Sequence, residues 1–335
     1  MAKDLLPIER ECRSVCNRVG LAMLTFEALF WGVSYAIAFL TMFLQFLPFS
    51  PTVLTVIGEI CYGLLYAAIF LLPIFFFKLF SGKRRVVPAY RSMNLPRETV
   101  LYLFAGLAVI SAMAQINSML VSVFSSSVEG MVQTVPATNA ELVMMVFTVA
   151  VVPAFVEEAL FRGLVLSNLQ PYGKTVAVLG SALLFGLMHQ NVAQLFYATA
   201  AGLVLGYIYV KLGSIWPCVL LHFVNNFLSV IQTVVLERVP TQRASLLLGV
   251  MQLFILVLGA VALILLILRH QDGRRRLLAE GCFEREGSAE PFDAPVGISF
   301  ANGVKCFFSA PTLIFVLICG ASMALSTILS FLLIL

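Results

Sequence analysis

The chain has 335 residues, 61% of them hydrophobic and only 11% charged, with a formal net charge of +4 and a mean hydropathy of +1.00. A soluble domain carries about 25% charged residues, so a water-soluble globular protein is excluded. The small positive charge lies in short connecting segments, where it sets membrane topology, and gives no footprint for nucleic acid.

In chain order, the apolar runs predict membrane-spanning helices near 20–47, 52–78, 99–125, 142–166, 175–189, 194–210, 215–236, 245–268 and 310–334, each judged against the roughly 20 residues that cross a bilayer as helix. The expected fold is all-α, a polytopic transmembrane bundle of about 8–9 spans. Three parts are expected: N-terminal helices over 1–140, a core over 141–236 and C-terminal helices over 237–335. The N-terminal arm before the first span mixes charges (Lys3, Asp4, Glu9, Arg10, Glu11, Arg13, Arg18), unlike a cleavable signal peptide. Lys78, Lys83, Arg84, Arg85, Arg91 and Arg97 follow the second span, Lys174 and Lys211 sit in later turns, and Arg269 with Arg274 to Arg276 follows the eighth. These basic residues alternate sides, which places the N-terminus in the cytoplasm and, with nine spans, the C-terminus outside. Residues 269–309 read as one long polar cytoplasmic loop. The seven cysteines form no CxxC pair and read as free thiols, with Cys12 and Cys16 close enough to the first span for acylation.

The fourth run carries the chemistry. It contains Glu157-Glu158-Ala159-Leu160-Phe161-Arg162, two adjacent acids and an arginine inside an apolar stretch. An ionisable residue costs about 3 kcal/mol at a helix centre on insertion scales, so such residues mark function by default. Glu158 and Arg162 are four apart and share a helix face. Glu157 is turned by about 100° from Glu158, and one arginine cannot neutralise both acids. A carboxylate left over in such a site is suited to act as general base for water.

Two further polar clusters follow: His189-Gln190-Asn191, then His222 with Asn225 and Asn226. A turn at Pro171-Tyr172-Gly173 places Glu157 and His189 at heights of roughly 21 and 24 Å above it. The turn near Leu212-Gly213-Ser214 places His222 and Asn226 at roughly 12 and 18 Å. All of these groups can therefore share one layer of the bilayer. The fifth run is short for a span, so the polar turn after it is expected to be sunk in the membrane beside a water-filled cavity. Ala198, Gly202 and Gly206 form a small-residue stripe with a packing role and no chemical one. Glu27 and Glu59 interrupt apolar runs singly and read as packing or pocket-lining residues.

The three motifs EExxxR (Glu157 to Arg162), FxxxH (Phe185 to His189) and HxxxN (His222 to Asn226) resemble those of the CPBP, or Abi, intramembrane proteases, the family of type II CAAX prenyl endopeptidases and lysostaphin-resistance-like proteins. The resemblance covers roughly residues 140–236. It implies hydrolysis of a peptide bond within the membrane by glutamate-activated water. Glu157 and His189 would hold that water, Glu158 and Arg162 would support the site, and His222 and Asn226 would face the oxyanion. The resemblance favours no cofactor. Zinc held by Glu157, His189 and His222 is the alternative. The expected partners are the lipid bilayer and a membrane-embedded or lipid-anchored peptide, with bacteriocin processing or immunity among the roles implied and a bacterial plasma membrane as the setting. Competing readings are a catalytically silent binding or immunity protein of the same family and a proton-coupled transporter. A transporter would usually show inverted repeats, which the sequence lacks.

Overall fold

The computed structural model describes residues 6–81, 96–124, 136–279 and 298–332 of the chain. These form ten helices, with no strand among the described residues. In chain order they are α1 (Pro7–Leu44), α2 (Pro51–Ser81), α3 (Thr99–Phe124), α4 (Asn139–Tyr172), α5 (Lys174–Leu187), α6 (Val192–Leu212), α7 (Trp216–Arg238), α8 (Thr241–Ala279), α9 (Phe300–Phe307) and α10 (Ala310–Leu332). Eight of them are long and apolar enough to cross a membrane. The chain is a polytopic, multi-pass helical membrane protein, as the apolar runs predict. Side chains such as Phe39, Leu246, Phe254 and Leu317 point outward from the bundle, as contact with lipid requires.

The exception among the predicted spans is α5, whose 14 residues rise only about 21 Å. It ends at a turn rather than crossing fully, and α6 begins at Val192. The Asn191 side chain caps α6 by accepting from the Ala193 N–H at 2.8 Å. At its other end Gly213, at φ 65°, closes α6 by donating its N–H to the Tyr209 carbonyl at 2.9 Å, a left-handed position that suits glycine.

Two sequence expectations need correction here. The arm before residue 20 is not a separate tail: α1 begins at Pro7, with proline at its first turn and the Leu6 N–H donating to Glu9. Buried residues of the arm, Glu9 and Cys12 among them, meet α9, where the Asn302 amide donates to Glu9 at 2.6 Å. The expected loop 269–309 is partly helical, because α8 runs on to Ala279 and α9 is a short helix whose Phe307 ring packs on Gly180 of α5. Cys12 and Cys16 are buried with their sulfurs 4.0 Å apart, so neither presents a surface thiol for acylation. Burial pushes the Cys306 thiol of α9 up to about 11, which keeps it neutral at physiological pH. The polar segments around Arg84 and Arg91, Glu129 and Cys282 lie outside the described residues.

Helix α1 packs along α2 and α10, α3 along α6 and α8, and α5 along α6. Small residues set the tight crossings. A Cβ on Gly20 of α1 would stand 2.5 Å from the Thr312 nitrogen of α10, and one on Gly202 of α6 would stand 2.9 Å from the Ala182 Cα of α5.

Candidate active site

Helix α4 is the element that aims the acids, and it is not a uniform α-helix. Segments of π-helix at Phe147–Val151 and Ala159–Leu166 flank the α-helical turn Val152–Glu158. Pro153 gives a local cause for the first: it has no N–H, so the Val149 carbonyl has no donor at the fourth residue on. The Asn226 amide of α7 fills that position, donating to the Val149 oxygen at 3.0 Å. A π-segment is rare and occurs often at functional sites.

On this helix Glu157, Glu158 and Arg162 are all buried, at 3%, 0% and 0% exposure. The Arg162 guanidinium donates to Glu158 Oε1 at 2.9 Å and to the Gly202 carbonyl of α6 at 3.0 Å. It also lies 4.9 Å from the centre of the Phe185 ring, a cation–π distance. The stripe on α6 thus does more than pack. With no side chain at Gly202, α5 and α6 close together and a bare carbonyl faces the guanidinium.

His222 of α7 joins the two acids. Its Nδ1–H donates to Glu158 Oε1 at 2.9 Å, and its Nε2 lies 3.8 Å from Glu157 Oε2. Adjacent glutamates diverge on a helix, yet here they reach opposite nitrogens of one imidazole, because the ring stands between them. Glu157 is held on its other oxygen by the Tyr66 hydroxyl of α2, which donates at 2.5 Å. Glu157 Oε2, Glu158 Oε2 and Arg162 Nε have no hydrogen-bond partner within the protein, and buried polar groups of this kind cost free energy unless water or a ligand meets them.

His189 stands in the turn after α5, within electrostatic range of Glu157 and His222. Its Nδ1–H donates to the Phe185 carbonyl at 2.8 Å, which leaves Nε2 as the other, distinct ring nitrogen. The Phe185 ring contacts both histidine rings, with centroids 5.3 Å from His189 and 5.9 Å from His222. One N–H of the Asn226 amide donates to Val149 at 3.0 Å, and its oxygen accepts from Asn225 at 3.2 Å, with Tyr197 donating to Asn225 at 3.0 Å.

The structure thus joins Glu157, Glu158, Arg162 and His222 in one hydrogen-bonded and ionic cluster, sets His189 beside it across Phe185, and puts Asn226 one turn further along α7. Among the described residues, no three His, Cys, Asp or Glu side chains are grouped so as to hold a metal ion. The zinc set Glu157, His189 and His222 does not fit this arrangement. Sequence reasoning gave Tyr66 no role, since a lone tyrosine in an apolar run carries no motif. The motif that contains Phe185 gives that ring no role, and the spacing of Gly202 points only to packing. The proline four residues before Glu157 was the available signal for the irregular helix.

Against known proteins, residues 139–228 match the family model described as Type II CAAX prenyl endopeptidase Rce1-like. The match covers α4 to most of α7, the segment that carries all three motifs, and it supports membership of the CAAX/CPBP family for this chain. Neither the curated proteins nor the solved structures give a match.

Proposed function

We propose that the protein is an intramembrane endopeptidase that hydrolyses a peptide bond of a membrane-embedded or lipid-anchored peptide by glutamate-activated water. The observation that carries this reading is the buried set in which two carboxylates address the two nitrogens of His222 while an arginine balances one of them. Glu157 is the general base. Its Oε2 accepts no hydrogen bond from the protein, while Tyr66 fixes its Oε1. A water within reach of Glu157 Oε2 and His189 gives its proton to Glu157 and attacks the scissile carbonyl carbon. Glu157 then returns that proton to the departing amine, which leaves a carboxylic acid and an amine as products.

The tetrahedral oxyanion is met by donors from α7. His222, set between the two acids, faces it with Nε2. The second N–H of the Asn226 amide provides another donor, since only one is spent on Val149. Donors aimed at developing charge in a dry site are often the largest single catalytic contribution. Glu158 and Arg162 act as positioning residues that hold His222. The alternating basic segments favour a cytoplasmic N-terminus, and the family match favours a CAAX-type protease.

The test is mass spectrometry on proteoliposomes that hold a library of membrane-anchored peptides, with and without prenyl groups. Wild type and Glu157→Ala would be compared, each with and without a zinc chelator. Cleavage by wild type alone, indifferent to chelator, is the expected result. Cleavage abolished by chelator and restored by zinc would return the site to the metal reading. Equal cleavage by both proteins would end the assignment of the base.

A further inference from the structure

A further carboxylate, besides the paired glutamates and Glu9, is buried in the bundle. Glu27 of α1 is 4% exposed and accepts from its own helix, from the turn after α5 and from α10. Trp31 Nε1–H donates to it at 2.8 Å, the Gln190 side-chain amide donates to both of its oxygens at 2.9 and 3.0 Å, and the Cys319 thiol of α10 lies at 3.8 Å. Gln190 is gripped at its other end as well, because the Ser322 hydroxyl of α10 donates to its Oε1 at 2.8 Å.

Gln190 follows His189 directly. Among the described residues it is the one non-glycine at positive φ, 49°. A side-chain-bearing residue holds such a conformation only where its surroundings over-determine it. Here the turn is tied on both flanks, by His189 to Phe185 and by the Asn191 cap of α6, while the Glu27 and Ser322 contacts hold its middle. Both α1 and α10 lie outside the family-matched segment 139–228.

We propose that Glu27 is a positioning residue. A clamp of Glu27, Gln190 and Ser322 draws the turn against α1 and α10 and so sets where His189 stands relative to Glu157. The terminal helix α10 is thereby part of the site's support. The proposal rests on the role given to His189 above, but its geometry is read independently of activity.

The experiment is NMR on histidine-labelled full-length protein in lipid nanodiscs. The chain has three histidines, and His189→Gln and His270→Gln assign the signals. Glu27→Ala and Gln190→Gly should shift or broaden the His189 Nδ1–H resonance and speed its exchange. The His222 resonance, held by Glu158, should stay in place. Glu27→Gln, which keeps an acceptor oxygen, should restore the wild-type signal. Gln190→Gly accepts the left-handed backbone without the side chain, so it carries the test if Glu27→Ala does not fold. A His189 resonance unchanged in Gln190→Gly would overturn the clamp.

With a cleaved peptide in hand, Glu27→Ala should lower kcat by about 10- to 100-fold with little change in KM, and Glu27→Gln should recover it. Resonances that move while wild type cleaves nothing would leave the clamp standing and remove the protease reading. Resonances that stay while wild type cleaves would do the reverse.

Discussion

The segment 139–228 and the helices around it contribute to the same site in different ways. The segment supplies the motif side chains at fixed spacings: Glu157, Glu158 and Arg162 on α4, His189 after α5, and His222 and Asn226 on α7. The surrounding helices supply single residues with no spacing to announce them: Tyr66 on α2 bonds to Glu157, and Glu27 on α1 and Ser322 on α10 bond to Gln190 in the turn that carries His189. The difference teaches that a motif records the groups that must meet within one compact hairpin set, whereas their supports can come from any helix that happens to pack alongside.

The comparison can be broken or sharpened by substitution on either side of it. The largest effect is expected inside the segment. Glu157→Ala should lower the cleavage rate by about 10²- to 10⁴-fold, the range general acid–base catalysis spans, with the thermal transition of the reconstituted protein unchanged. Next comes Arg162→Met, which leaves Glu158 buried without its cation. Breaking a buried pair from one side costs about 3–5 kcal/mol, to be read in nanodiscs as a lowered unfolding midpoint.

Outside the segment, Tyr66→Phe removes one hydrogen bond to a charged oxygen, an interaction of about 1.5–3 kcal/mol. Cleavage should slow by about 10- to 100-fold, since each 1.4 kcal/mol is about a factor of ten. No effect on rate would confine the working site to the segment. The smallest effect is expected at Gly202→Ala. The added Cβ meets the α5 backbone at 2.9 Å, and overpacking of this kind costs about 1–3 kcal/mol. It should also loosen the bond from Arg162 to the Gly202 carbonyl.

Much of this was legible in the sequence for a physical reason. In a bilayer every charged residue stands out against an apolar background, so the Glu157–Glu158 pair, Arg162 and the two histidines were visible without any structure. Helix rise alone predicted that they share a layer, and His222 does meet both glutamates. The short fifth run foretold a turn at His189 to Asn191, which the structure has.

The rest was hidden. Pro153 signalled that the Val149 carbonyl of α4 would lose its helical donor, but not that Asn226 of α7, 77 residues distant in sequence, would meet it. The convergence of two diverging glutamates depends on where the His222 ring lies. Glu27 looked like an isolated acid because its partners, Gln190 and Cys319, are 163 and 292 residues away. The arm before residue 20 looked like a polar tail because its buried face is completed only by α9, near the far end of the chain.

The most direct test of the account is a double-mutant cycle on the cleavage rate with Glu157→Ala, His222→Ala and the double variant, in proteoliposomes with one cleaved peptide. Groups that act as a unit are grossly non-additive. The double variant should therefore be little slower than either single one. Losses that multiply, so that the double variant is slower by the product of the two single effects, would show that Glu157 and His222 act independently and would contradict the site as described.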